Sequence, residues 1–252
     1  MRKIAIYGKG GIGKSTTTAN LAAAWAQQGL TVMQIGCDPK SDSTTLLMNG
    51  KRIPTVLDMI RAKGSEAVVL DDIVFRGYGG SLCVETGGPL PGVGCAGRGI
   101  IAAFEKLADL NAYEIYKPDV VLYDVLGDVV CGGFAMPLRG DYADSVFIVT
   151  SGEMMAMYAA SNIVKALENF KTRGYARYGG LILNRRNVDN ESELVQKLAE
   201  ETNSSIVADI PRCHEVHDGE RQGKTVMEAF PDSHAATCYR NLAASIMEAC
   251  HA

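Results

Sequence analysis

The chain has 252 residues, 47% of them hydrophobic and 21% charged, enough apolar side chain for one large α/β domain and too little charge for a disordered chain. A formal net charge of −4 argues against a dedicated nucleic-acid binder, which presents a basic face. The longest uninterrupted apolar run, Met154–Ala160, is far short of the roughly 20 residues of a membrane span. The N-terminal apolar stretch reads as a strand rather than a signal peptide, so the expected location is cytoplasmic.

Strand and helix alternate from end to end. The pattern predicts strands at Lys3–Tyr7, Thr31–Gly36, Ser81–Glu85, Val120–Tyr123, Ser145–Thr150, Gly180–Asn184 and Ser205–Ile210. It predicts an Ala-rich helix over Ser15–Gln28, closed by Gly29, and further helices near Thr55–Arg61, Arg98–Leu107, Gly152–Phe170, Glu191–Thr202 and Ser233–Glu248. Short apolar runs with helices between them imply a mostly parallel sheet covered on both faces, with residues 1–252 as one domain. Met154, Met155, Met157 and Tyr158 are expected to pack a helix into the core. His214 and His217, among acids, are expected in a solvated late loop.

Gly8-Lys9-Gly10-Gly11-Ile12-Gly13-Lys14-Ser15 fits G-x-x-x-x-G-K-[ST] directly after a strand and before a helix. Glycines there let successive N–H groups surround phosphates, and the helix N-terminus adds partial positive charge. Lys14 is expected at the β/γ-phosphates and Ser15 at Mg²⁺. Gly8, Gly10 and Gly13 also satisfy G-x-G-x-x-G, but a dinucleotide fold has no use for Lys14-Ser15, and the second strand leads into Cys37-Asp38-Pro39-Lys40 rather than a lone ribose-binding acid. The fold class is therefore a P-loop NTPase. Asp124, ending a buried strand, is the expected Mg²⁺-side acid, with Asp128 four residues on. Asp38 and Asp42 follow the second strand, where a mobile loop faces the γ-phosphate.

Seven cysteines are an odd count for a reducing compartment, so metal binding or plain burial must account for them. Nine of the 27 glycines fall between Arg76 and Ile100, around Cys95, and Cys131 is followed by Gly132-Gly133. There is no C-x-x-C, so a zinc ribbon or a self-contained ferredoxin-type cluster is not indicated. Two ligands per chain do not complete a four-thiolate site, whereas two such chains would, with one cluster on the dimer axis.

Four stretches carry a resemblance: Gly36–Ser43, Gly87–Gly99, Tyr123–Pro137 and Ser151–Ala160. With the P-loop they resemble the nitrogenase iron protein family over nearly the whole chain. The resemblance implies an ATP-dependent electron donor, a homodimer holding one [4Fe–4S] cluster through Cys95 and Cys131 and passing electrons to a larger catalytic partner, itself supplied by ferredoxin or flavodoxin. It gives Lys9 a reach across the dimer to the other subunit's nucleotide, and catalytic roles to Lys9, Lys14, Asp38 and Asp128. It adds Thr16 and Lys40 to the P-loop residues Gly8–Ser15 at the nucleotide, puts Asn184, Pro211 and Arg212 on the adenine side, and makes Arg98 a partner-docking residue. Ser15, Asp42 and Asp124 form the Mg²⁺ site. Asp38–Ser43 becomes one switch and the segment from Asp124 to Cys131 the other. Those seven residues span at most roughly 25 Å when extended, short enough to carry a change at the γ-phosphate to the cluster. Cys37 and Cys83 are expected to be buried rather than ligands.

The chain departs from the family pattern at Thr150, where a cysteine is common, and at Cys213-His214, where an acid and an amide are usual. It also ends soon after its last helix. These departures and the stretch Gly50–Thr55 turn the expected partner from the dinitrogen-reducing protein toward an F430-biosynthesis or methylthio-alkane reductase complex. Nitrogenase itself and protochlorophyllide reductase are the alternatives. A partition or septum-positioning ATPase would share Lys9, Lys14 and Asp124 but would not need two glycine-flanked cysteines. A cluster-assembly carrier would show a C-x-x-C near its end.

Overall fold

The computed structural model describes residues 1–88, 96–127, 137, 142–170 and 176–250. One sheet of eight strands runs through it: β1 (Arg2–Tyr7), β2 (Val32–Gly36), β3 (Phe75–Arg76), β4 (Leu82–Glu85), β5 (Val120–Asp124), β6 (Ser145–Thr150), β7 (Arg177–Asn184) and β8 (Ile206–Ile210). Their order is β3-β4-β2-β5-β1-β6-β7-β8. Every pairing is parallel except that of β3 with β4, so β3 is an antiparallel edge. The helices are α1 (Lys14–Gln27), α2 (Val56–Lys63), α3 (Ala96–Asp109), α4 (Ala112–Tyr116), α5 (Met154–Phe170), α6 (Glu191–Glu201), α7 (His214–Arg221), α8 (Val226–Ala229) and α9 (His234–Ala249).

The two-residue period of the strands sorts their side chains onto two cores. Ile4, Ile6, Val120, Leu122, Phe147 and Val149 join α1, α8 and α9 on one face. Ala5, Tyr7, Val121, Tyr123, Val146 and Ile148 meet α3, α5 and α6 on the other. Burial on both faces explains why these strands read as continuous apolar runs. The lone tryptophan, Trp25, is fully buried and donates its indole N–H to the Ala243 carbonyl at 3.2 Å, tying α1 to α9.

All seven expected strands and all six expected helices are present. Strand β3 is too short to leave a periodic signal, and β7 begins at Arg177, three residues before the expected start at Gly180. Two expectations need correction. His214 and His217 lie in α7, not in a loop; its sequence, His-Glu-Val-His-Asp-Gly-Glu-Arg, holds one apolar residue and so shows no helical period. Met154, Met155 and Tyr158 are not core residues: they are 78%, 58% and 62% exposed on the first turns of α5. Only Met157 packs against the core.

Trp25→Ala should lower the unfolding free energy by about 3–5 kcal/mol, since it opens a large cavity between two helices. Urea denaturation followed by circular dichroism checks this.

Candidate functional site

The phosphate loop fills the turn from β1 to α1. Gly8, Gly11 and Gly13 all have positive φ, a region that side-chain-bearing residues rarely adopt. A Cβ on Gly13 would sit 2.5 Å from the Asn184 amide nitrogen. That amide donates to the Ile12 carbonyl at 2.7 Å, and the Arg186 guanidinium donates to the Gly11 carbonyl at 2.6 Å. Two loop carbonyls are thus held by side chains from the end of β7, the orientation that turns neighbouring amides toward an anion. The Lys14 ammonium folds back to the Lys9 carbonyl at 3.2 Å.

The carboxylates stand at the C-terminal ends of three adjacent strands. Gly36 on β2 is in register with Asp124 on β5 and with Glu85 on β4. Asp124 is buried. Burial pushes its carboxyl above the usual range, while hydrogen bonds from Ser15 and Ser43 and the charge of Lys14 pull it back. Its Oδ2 is buried without a hydrogen-bond partner among the described residues. A divalent cation is the ligand that such an oxygen beside Ser15 fits, with Asp42 nearby on the cleft wall. Glu85 is wholly buried. Its Oε1 accepts from the Thr44 amide and hydroxyl, both at 2.7 Å, and its Oε2 has no partner among the described residues. Burial, reinforced by the charges of Asp124 and Asp42 and opposed by the Thr44 hydrogen bonds, lifts its pKa from 4.5 to about 7.

A cleft of about 360 Å³ joins these parts, lined by Gly10, Gly13, Lys14, Ser15, Thr16, Asp38, Lys40, Asp42 and Asp124. It continues past Arg186, His217 and Glu220 into a recess walled by Asn184, Pro211, Arg212, Cys213 and Tyr239. The residues expected at the phosphates line one end, and Asn184, Pro211 and Arg212, expected at the adenine, line the other. Lys9 lies apart, in an adjoining recess with Glu153, Arg186 and Arg212. Arg98 is exposed in the first turn of α3. Cys95, Cys131 and Asp128 lie outside the described residues.

Three residues at this cleft escaped the sequence reading. Arg186 left one signal, a basic pair at a strand end. Glu220 accepts from the Thr16 hydroxyl at 2.7 Å and lies 3.5 Å from His217, a contact that only the path of α7 creates. Gly127 packs on the loop itself: a Cβ there would lie 2.6 Å from the Gly10 amide nitrogen and closer still to the Gly8 carbonyl. Cys37 and Cys83 are buried, as expected. Burial raises the Cys37 thiol well above its ordinary value and pushes Cys83 up to about 12. Among the described residues no three His, Cys, Asp or Glu side chains converge as metal ligands.

A family model described as 4Fe-4S iron sulfur cluster binding proteins, NifH/frxC family, matches residues 2–252. The nitrogenase iron protein of Methanospirillum hungatei is 56% identical over 98% of this chain and 88% of its own length. That of Methanococcus voltae is 52% identical over 98% and 89%. Among solved structures, the cell division ATPase MinD of Pyrococcus furiosus superposes with a TM-score of 0.73 at 21% identity, over 98% of this chain and 99% of that one. A ParA family ATPase from Chlorobium tepidum gives 0.74 at 20% identity, over 96% and 98%. At that identity the likeness is one of fold.

Two outcomes follow from the geometry. Gly127→Ala should weaken MgADP binding by at least about tenfold, because the new methyl meets backbone rather than a movable side chain; calorimetric titration measures it. Because the folded state raises the Glu85 pKa, it binds that proton more tightly than the unfolded chain, and Glu85 costs stability as pH rises from about 4.5 to about 7. Glu85→Gln lacks this slope, so its stability relative to wild type should improve by up to about 3 kcal/mol between pH 4.5 and 7.5. Denaturant midpoints at both pH values test the sign.

Proposed function

The chain belongs to the NifH/frxC family of 4Fe-4S iron–sulfur cluster binding proteins, and from that premise we propose that it is the reductase of a nitrogenase-like system. Members of this family are ATP-hydrolysing reductase components that bind a [4Fe–4S] cluster and MgATP and act as homodimers with a larger catalytic partner. In our reading, Cys95 and Cys131 of each subunit hold the one cluster of the dimer. When bound, the cluster supplies a one-electron carrier whose potential its surroundings tune.

The observation that carries the nucleotide half of the reading is the packing of Gly127 on Gly8 and Gly10. The segment leaving Asp124 touches the phosphate loop three residues after the metal-side acid. A shift of that loop displaces the chain on its way to Cys131. Lys14 and Lys40 bind phosphate, Ser15, Asp42 and Asp124 hold Mg²⁺, and Asn184, Pro211 and Arg212 surround the adenine. Asp38, Lys9 and Asp128 complete the hydrolytic set, with Lys9 acting on the partner subunit's nucleotide. The dimer reading draws support from the exposed Met154, Met155 and Tyr158, which follow Glu153 at the wall of the Lys9 recess. A second copy there would cover apolar surface that one chain leaves to water.

Our finer reading makes the partner an F430-biosynthesis or methylthio-alkane reductase complex, docked near Arg98, with ferredoxin or flavodoxin as donor and the whole system cytoplasmic. It rests on the stretch Gly50–Thr55, with the departures at Thr150 and Cys213-His214 counting against a dinitrogen-reducing partner. No helix among the described residues is long and apolar enough to cross a membrane. Dinitrogen reduction is the second reading, favoured by relatives named nitrogenase iron protein at 48–56% identity.

Anaerobically purified protein should be brown, with one four-iron cluster per dimer. Cys95→Ser and Cys131→Ser should each abolish the cluster, whereas Cys250→Ser should keep it; an iron-free dimer active with its catalytic partner would sink the proposal. MgATP should change the rate of iron chelation. Pairing the protein with each class of catalytic component, and assaying acetylene, tetrapyrrole and methylthio-alkane reduction, separates the partner readings.

A further inference from the structure

The Asp38–Thr44 segment has two unlike halves. Its first part is open: Pro39 and Lys40 are exposed, Asp38, Ser41 and Asp42 half-buried. Ser41 has a left-handed φ of 52°, and the Asp38 carboxylate closes a local turn by accepting from the Lys40 amide at 2.9 Å. Ser43 and Thr44 are buried and gripped from behind. Glu85 accepts two hydrogen bonds from Thr44. Gln34, on the next strand, donates from its amide nitrogen to both the carbonyl and the hydroxyl of Ser43, each at 2.9 Å. The Ser43 hydroxyl in turn supports Asp124.

The space for this grip is built into β2. A Cβ on Gly36 would collide with the Glu85 carboxylate and lie 2.7 Å from the Ser43 Cβ, so the strand between the two acids must carry glycine there. Burying a carboxyl with one oxygen unpartnered is costly. An apolar side chain would fill the same volume at lower cost, but it would offer Thr44 no acceptor. The place where the grip ends falls between Asp42 and Ser43, one peptide from the side chain assigned to Mg²⁺.

We infer that Glu85 is a positioning residue for the Mg²⁺ site: with Gln34 it fixes Ser43 and Thr44, so that Asp42 swings on an anchored pivot rather than on a loose loop. This rests on the MgATP reading of the cleft. The inference makes no use of a change in the charge of Glu85. An anchored pivot lowers the conformational entropy lost when Asp42 meets the metal, and so adds to the Mg²⁺-dependent part of nucleotide affinity without touching the nucleotide.

The test is binding of a fluorescent ADP analogue to the purified, cluster-loaded dimer with and without Mg²⁺. The quantity read is the ratio of the two affinities. Glu85→Ala should cut the ratio by about tenfold while the Mg²⁺-free affinity stays within about twofold. Thr44→Val, which keeps the amide bond and loses the hydroxyl bond, should cut it by about threefold. Glu85→Gln keeps an acceptor oxygen and should hold the ratio within about threefold of wild type. A wild-type ratio in Glu85→Ala overturns the inference, as does an equal loss of Mg²⁺-free binding, the mark of general damage. If Glu85→Gln is as poor as Glu85→Ala, the charge acts rather than the acceptor, and the positioning role is wrong. Should Glu85→Ala not fold, Thr44→Val decides the matter, and a wild-type ratio there overturns the inference. A wild-type protein with no Mg²⁺ enhancement, unchanged by Asp124→Asn, would instead refute the MgATP reading itself.

Discussion

A carboxylate buried at the end of the β5 strand sets the terms for everything around it. Asp124 sits where a parallel sheet is covered on both faces, and its charge there is unfavourable unless donors or a cation face it. The donors come from two directions, Ser15 at the head of α1 and Ser43 beyond β2, with Lys14 as the nearby cation. One acid therefore binds the phosphate loop and the Asp38–Thr44 segment into a single unit. Gln34 and Glu85 form a second row behind it. Together these residues make a buried polar layer at the C-terminal ends of β4, β2 and β5, the end of a parallel sheet where ligands lie in α/β folds.

Close backbone approaches make that unit stiff. Gly127 rests on Gly8 and Gly10, and Gly88 on Pro39, where a Cβ would lie 2.5 Å from the proline Cβ. Arg61 donates to the Gly88 carbonyl, tying α2 to the same corner. Gly127 faces backbone atoms and Gly88 a ring-locked proline, so no flexible side chain absorbs a displacement of one chain against the other. Packed contacts of this kind move between discrete arrangements rather than deforming smoothly. The segments that leave β4 and β5 are thus packed directly against the Asp38–Thr44 segment and the phosphate loop.

Much of this was legible in the sequence because it rests on short-range rules. The glycine spacing of the phosphate loop, the apolar runs of β1, β2 and β5, and the acid ending β5 all report local chemistry. Contacts made by chain path left no such mark. Glu220 reaches Thr16 across 204 positions, and Asn20 accepts from the Val226 amide across 206. Helix α7 hides because its outer face is polar and only Val216 is apolar. Glu85 reads as the polar end of a strand, and nothing local says that its carboxyl turns inward to Thr44. The misreading of Met154, Met155 and Tyr158 has a different source: apolar composition predicts burial, but within one chain it does not say in what.

The fold alone does not separate a reductase from a positioning ATPase, since both share the sheet and the loop. What separates them is where the two distinctive cysteines enter the topology. Cys95 follows β4 and Cys131 follows β5, and these are the strands that flank β2 on either side. Asp38–Thr44 leaves β2 between them. Glu85, Gly36 and Asp124 are in register, so all three segments depart from one level at one end of the sheet. A strand order that interleaved another strand here would have set the starts of the two segments apart. In this order, each cysteine-bearing segment begins at a residue already bonded to the Asp38–Thr44 segment, Glu85 through Thr44 and Asp124 through Ser43. On the proposed reading, in which Cys95 and Cys131 hold the cluster, coupling it to ATP requires no additional domain, only two loops that start where the phosphate chemistry ends.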